Sequence, residues 1–150
     1  MVDFVVVRFV TADDPISKAI RFKTDSDVSH AEFVMPDGWM VGAHLDGGIQ
    51  RRPADYEKVT VDHRVKLDRS NADEIYNSVL ASVGTPYDWK AILGFLVAQP
   101  LSESGHLICS GFVAKVLLDF NVLFPIPKPV EQVDPDYLLG LLSQIGELHL

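Results

Sequence analysis

The single cysteine of this 150-residue chain, Cys109, is the side chain best suited to attack a carbonyl carbon. The thiolate is the nucleophilic form of cysteine, and a neighbouring histidine commonly takes the thiol proton. The local pattern predicts that Cys109 lies at the start of a helix, just after a glycine-containing loop. Unpaired backbone N–H groups there would stabilise a thiolate and bind an oxyanion. The competing interpretation is an inert cysteine that fills space in the core.

His30 is the candidate base for such a thiol. It opens a predicted strand, and a rigid strand could aim the imidazole at the start of the cysteine helix. Glu32 follows two residues later, hence on the same face of the strand, where it could orient the ring. His44 ends the adjoining predicted strand and is the other candidate for that orienting role. Each of these residues could instead be a hydrogen-bonded structural residue.

The remaining histidines and a metal site are weaker candidates. His63 lies on the apolar face of a predicted strand, His106 on a predicted loop, and His149 in a tail that we expect to fray. A zinc site would need three or four ligands from the set His30, His44, His63, His106 and Cys109. No Cys-x-x-Cys or His-x-x-x-His pair is present, so we predict no metal site and no cofactor.

Composition excludes several classes of function. Thirteen basic against 21 acidic residues give a net charge of −8, which disfavours nucleic acids and anionic membranes as partners. No apolar run approaches the roughly 20 residues that span a bilayer. The N-terminal sequence does not resemble a signal peptide, so we expect synthesis in the cytoplasm. Delivery by a phage particle or release by lysis would need no signal.

Hydrophobic periodicity predicts early strands followed by later helices, and therefore one α+β domain over residues 1–150. Strict alternation is clearest between Val59 and Leu67. The predicted strands are Phe4–Val10, Ser29–Met35, Trp39–His44, Ile49–Arg52 and Val59–Leu67. The predicted helices are Ile16–Phe22, Ser70 or Asn71 to Val83 with Gly84 closing it, Asp88–Val97, Ile108–Phe120 and Pro135–Leu142. Leu101–His106 and Pro125–Pro129 are predicted to be irregular.

Several short segments, in this order, resemble the circularly permuted branch of the NlpC-type papain-like superfamily. That branch includes YiiX-like and YebB-like proteins and, more distantly, lecithin:retinol acyltransferase-like proteins. The segments are Ser29–Glu32, Gly84–Trp89 and Ile108–Val113, supported by Asp14–Ser17 and Ile20–Phe22. The resemblance spans most of residues 3–118.

The resemblance implies a papain-like fold, with a small antiparallel sheet packed against helices and the histidine strand before the cysteine helix. It implies that Cys109 is the nucleophile, that His30 is the base, and that Tyr87 lines the site and helps to hold the oxyanion. The related proteins often carry Glu or His at the position of Gly42. Because this chain lacks a side chain there, His44 and Glu32 both remain candidates for the orienting residue.

The expected function is cysteine-dependent hydrolysis of an amide, by a peptidase or amidase that forms an acyl-enzyme. A peptide or peptidoglycan fragment of the cell wall is the expected substrate and partner. One alternative is a non-catalytic binding or structural module that keeps the same fold. Another is a thiol acyltransferase or lipid hydrolase, which an exposed apolar patch from Phe95, Leu96 and Val97 would favour.

Overall fold

The computed structural model describes residues 3–12, 28, 30–44, 48–55, 59–84, 101–127 and 133–149. For residues 12, 59–61, 101–108 and 149 it describes the backbone alone. The predicted helices at Ile16–Phe22 and Asp88–Val97 lie outside these residues. The described elements are β1 (Phe4–Ala12), β2 (His30–Val34), β3 (Met40–His44), β4 (Gly48–Arg52), β5 (Val59–Asp68), α1 (Ala72–Ala81), α2 (Leu101–Asp119), α3 (Pro135–Ile145) and β6 (Glu147–His149).

The described strands form one antiparallel sheet in the order β4-β3-β2-β1-β5-β6. The long neighbours β1 and β5 pair along their whole lengths, with a bulge between Thr11 and Ala12. Their register places the alternating apolar residues of β5 opposite the β-branched residues of β1, which is the pairing that buries one face of each strand. The predicted α+β class is therefore confirmed.

The core lies between the sheet and the helices. Phe33 of β2 meets Phe112 of α2 edge-on, with ring centroids 6.0 Å apart. On α1, the Tyr76 hydroxyl accepts a hydrogen bond of 2.9 Å from the Val6 backbone N–H, which ties that helix to β1. Burial raises the pKa of Tyr76, against the opposing effect of that hydrogen bond. These contacts fix α2 against β2, which carries His30 and Glu32, and α1 against the neighbouring strand β1.

Two helix ends follow the signals in the sequence. The turn after α1 ends at Gly84, whose φ of +85° suits a residue without a side chain. At the start of α3, Asp134 accepts a 2.7 Å hydrogen bond from the Tyr137 N–H, and Pro135 occupies the first helical position. None of the described helices is long and apolar enough to cross a membrane.

Two predictions about local structure are wrong. Residues Leu101–His106 are helical rather than irregular, because α2 begins at Leu101. The sequence around His149 does not fray but forms β6, where His149 is the register partner of Arg64. At the entry to this strand Gly146 allows close approach to β5, since a Cβ there would lie 2.8 Å from the Lys66 carbonyl oxygen. Pairing with a long neighbouring strand stabilises a tail that has no strong strand pattern of its own.

Candidate functional site

Cys109 is fully buried and lies eight residues after the first residue of α2. Its backbone N–H therefore falls within the hydrogen-bond ladder of the helix interior, beyond the first turn that holds the unpaired N–H groups. The prediction that the helix N-terminus activates Cys109 and supplies its oxyanion donors is wrong for this reason. Any activation of the thiol must come from side chains on neighbouring elements.

The sequence did contain signals for the earlier helix start. Pro100 precedes Leu101, and Glu103 falls in the first turn, where a carboxylate interacts favourably with the helix dipole. Gly105 gives the opposite signal, because glycine is typical of loops. A glycine inside a helix costs only about 1 kcal/mol relative to alanine, which packing of the rest of α2 offsets.

His30 is the first residue of β2 and meets Cys109 through a side-chain hydrogen bond. Packing of Phe112 on Phe33 explains why these two side chains lie close together. Cys109 lies one helical turn before Phe112, and His30 lies on the same strand as Phe33. The structure thus brings together the cysteine and histidine that the sequence predicted as a pair.

Glu32 holds the other side of the His30 ring. His30 Nε2 lies 3.3 Å from Glu32 Oε1, and the Glu32 side chain is fully buried. Burial alone would lower the pKa of His30, but negative charge on Cys109 and on Glu32, together with hydrogen bonds to both, raises that pKa well above its ordinary value. This environment favours the imidazolium form of His30.

His44 faces His30 from the neighbouring strand. The pairing of Phe33 with Val41 places His44 opposite His30, and the two ring centroids are 5.0 Å apart with the planes tilted by 35°. Burial lowers the pKa of His44 to about 3, and positive charge on His30 and Arg52 acts in the same direction, against the opposing effect of Glu32. His44 is therefore a neutral imidazole at physiological pH.

Gly42 explains how Glu32 fits beside His30. A Cβ at Gly42 would lie 3.2 Å from the Glu32 Cβ, so the missing side chain leaves room for the carboxylate on the adjacent strand. Position 42, where the permuted papain-like proteins often carry Glu or His, has no side chain in this chain, and the acidic side chain of Glu32 on β2 lies beside it. Of the two candidates for the orienting residue, Glu32 contacts the His30 ring at ion-pair distance, whereas His44 makes a ring contact.

The three residues His30, Glu32 and His44, here called the histidine cluster, also form an arrangement that the sequence did not predict. Each offers one ligand atom, and these atoms all lie within 4.8 Å of one another. Two imidazoles and one carboxylate are a common ligand set for transition metals. The pairing of β2 with β3 brings His30 and His44 together, and no short sequence motif indicates this.

The other predicted site residues do not join this group. Tyr87 and the segment Phe95, Leu96 and Val97 lie outside the described residues. His63 is half-buried on β5, and His106 lies in α2, of which the backbone alone is described there. A second buried polar group, Arg8 of β1, was not predicted. Its Nη1 donates to the Ala54 carbonyl at 3.1 Å, and its Nη2 lies 3.2 Å from Asp62 Oδ2.

A scan against protein-family models and searches of curated proteins and of solved structures find no match to this chain. The resemblance to the permuted papain-like proteins therefore rests on the motifs quoted above.

Proposed function

We propose that this protein is a cysteine-dependent amide hydrolase of the peptidase or amidase class, with a permuted papain-like fold. The observation that carries the proposal is the side-chain hydrogen bond between Cys109 and His30, with Glu32 3.3 Å from the Nε2 atom of the same ring. A thiol, a base and a residue that orients the base are the three groups that nucleophilic catalysis by cysteine requires.

In the proposed reaction, the thiol proton of Cys109 passes to His30, whose raised pKa favours the imidazolium that results, and the Cys109 sulfur attacks the amide carbon. The tetrahedral intermediate collapses to a thioester while the imidazolium gives its proton to the leaving amine. Water, deprotonated by His30, then attacks the thioester, and the carboxylic acid leaves as the sulfur regains its proton. Because Nε2 of His30 faces Glu32, Nδ1 is the nitrogen assigned to these transfers.

Glu32 acts in this scheme as a positioning residue. Its carboxylate fixes the ring orientation of His30 and stabilises the imidazolium that forms in each half of the reaction. His44 stays neutral and packs against the ring. Oxyanion donors must come from outside the first turn of α2, since Cys109 lies in the helix interior. The resemblance implies Tyr87 for that role, and the proposal includes it.

The proposed substrate is a peptide amide of peptidoglycan. Its direct test is incubation of the protein with peptidoglycan fragments, followed by mass spectrometry for new amino groups. The wild-type protein and His63→Ala should release amines, whereas Cys109→Ala and His30→Ala should release none above background. Release that persists in Cys109→Ala would contradict a cysteine mechanism.

A second candidate function is a non-catalytic module of the same fold. The observation that favours it is the complete burial of Cys109 in the interior of a helix, since a nucleophile must be reached by its substrate. Iodoacetamide labelling discriminates the two. The hydrolase requires faster labelling of Cys109 in the folded protein than in the denatured protein near neutral pH, and slower labelling after His30→Ala. Labelling that is slower in the folded protein and insensitive to His30→Ala would support the module.

A further inference from the structure

The histidine cluster has the chemistry of a metal site, although two of its members, His30 and Glu32, also take part in the proposed cysteine mechanism. Imidazole nitrogens and carboxylate oxygens together suit zinc and the first-row transition metals, whereas magnesium and calcium favour ligand sets made of oxygen alone. No second metal-ligand cluster of this kind is found among the residues that the structure describes.

The separations between ligand atoms are close to those that one ion requires. Ligand distances of about 2.0–2.1 Å put neighbouring ligand atoms about 2.8–3.4 Å apart in octahedral and tetrahedral sites. The His30 Nε2 and Glu32 Oε1 atoms already lie at 3.3 Å. The third ligand atom, from His44, lies within 4.8 Å of both.

The strands make the arrangement rigid. His30 and Glu32 are two residues apart on β2 and so share a face, and His44 comes from the directly paired β3. Both strands are internal to the sheet, with β1 and β4 as their outer neighbours. Three ligands from two paired strands leave the remaining coordination positions open to water or to another ligand, as in a facial triad.

We propose that His30, Glu32 and His44 bind one divalent transition-metal ion, of which zinc is the expected example. His44 completes the set, because its ring nitrogen lies within 4.8 Å of the ligand atoms of His30 and Glu32. An ion bound at Nε2 of His30 holds the ring in the form that carries its proton on Nδ1, so Nδ1 can no longer accept the thiol proton. Zinc would therefore inhibit the thiol chemistry, a consequence that rests on the proposed function, whereas metal binding itself does not.

The test measures binding of Zn²⁺ and Co²⁺ to the full-length protein by isothermal titration calorimetry and by the visible absorption of bound Co²⁺. One ion should bind per chain with a dissociation constant below about 100 µM. His44→Ala and Glu32→Gln should weaken binding at least about tenfold, the lower limit for loss of even an outer-shell partner. His63→Ala serves as the matched control for removal of a histidine and should bind as the wild type does.

Folding and thiol ligation are controlled separately. Circular dichroism establishes that each variant is folded, and His44→Gln supplies a second variant that keeps the volume and polarity of the site. Cys109→Ser should retain zinc affinity within about twofold, because the cysteine is not among the three ligands. No binding by the wild type, unchanged binding by folded His44→Ala and His44→Gln, or loss of binding in Cys109→Ser would each overturn the proposal.

Alkylation of Cys109 with and without Zn²⁺ separates this proposal from the proposed function. If zinc binds and slows alkylation in the wild type but not in His44→Ala, both proposals are supported. If zinc binds through the cluster and Cys109 shows no enhanced reactivity in the metal-free protein, the metal site stands and the hydrolase fails.

Discussion

Two buried polar groups on neighbouring strands differ in the partners that satisfy them. Arg8 of β1 and Glu32 of β2 are register partners, and both are almost fully buried. Arg8 contacts the Ala54 carbonyl and the Asp62 carboxylate. These three residues are called the arginine cluster below. A guanidinium stays charged at every physiological pH, so this cluster holds a fixed charge.

The histidine cluster contains groups that exchange protons. His30 lies between Cys109 and Glu32, and its pKa is raised well above the ordinary value by their charge, against the effect of burial. His44, 5.0 Å away between ring centroids, has a pKa lowered to about 3, first by burial. The comparison shows two uses of buried polar groups. The fixed charge of Arg8 supports the fold, whereas the titratable residues of the histidine cluster can accept and release protons.

The largest expected effect is the loss of turnover in His30→Ala, compared with Arg8→Met in the arginine cluster. His30→Ala removes the general base, which contributes about 10²- to 10⁴-fold in enzymes, so turnover of peptidoglycan amides should fall at least about 100-fold. Arg8→Met should leave turnover per folded molecule within about twofold, because the contacts described for Arg8 are with Ala54 and Asp62, outside the candidate site. Steady-state kinetics on matched amounts of folded protein provide the measurement. Equal losses in the two variants would remove the distinction between the clusters.

Arg8→Met should lower the stability of the protein although it leaves turnover nearly unchanged. Arg8→Met breaks the hydrogen bond to the Ala54 carbonyl and the ion pair with Asp62. The free energy of unfolding should drop by about 1–3 kcal/mol, rather than the 3–5 kcal/mol of a fully buried pair, because the half-buried Asp62 can rehydrate. Urea denaturation measures the change. Lys115→Met breaks an exposed ion pair with Asp119 and should cost under about 1 kcal/mol.

The histidines should give opposite pH dependences in a buffer that contains a chelator. Below its ordinary pKa of 6.5, His44 takes up a proton in the unfolded chain but not in the folded one until about pH 3. Stability from this residue is therefore present above pH 6.5 and falls as the pH drops, by up to about 1.4 kcal/mol per pH unit. Urea denaturation of His44→Gln at pH 6.5 and 4.5 should show a shallower acid decline than the wild type.

The control for this prediction is His63→Gln, which lies outside the histidine cluster and should keep the wild-type acid decline. The contribution of His30 to stability has the opposite pH dependence. Because its folded pKa is raised, its stabilisation is fully present below pH 6.5 and is lost as the pH rises through the folded value. An acid decline that is identical in the wild type and His44→Gln would contradict the assignment of a buried neutral imidazole.

The smallest effect should come from Gly42→Ala. Its Cβ would approach the Glu32 Cβ to 3.2 Å, which shifts the carboxylate by a few tenths of an ångström relative to His30. Because misplacement by 1 Å can cost about 100-fold in rate, we expect turnover to fall about two- to tenfold. Gly140→Ala in α3 is the matched control, since a Cβ there has no neighbour within 4 Å. Kinetics in which both variants equal the wild type would show that the space at Gly42 is not needed.

Much of the sheet was predictable from local pattern. Alternation along β5 and the β-branched run of β1 indicate strands directly, because side chains of a strand point to opposite faces with a period of two. The same period placed Glu32 on the face of His30. The predicted start of α2 is wrong because Gly105 favours a loop locally, whereas tertiary packing stabilises a helix that continues through it.

The sequence by itself determined which residues could do chemistry and which of them share a strand face. Tertiary structure alone decided that His44 faces His30, since this depends on the register between β2 and β3. It also placed Cys109 in the interior of α2 and brought it to His30 through the packing of Phe112 on Phe33. Local propensity acts over a few residues, whereas register and helix–sheet packing depend on burial summed over the whole core.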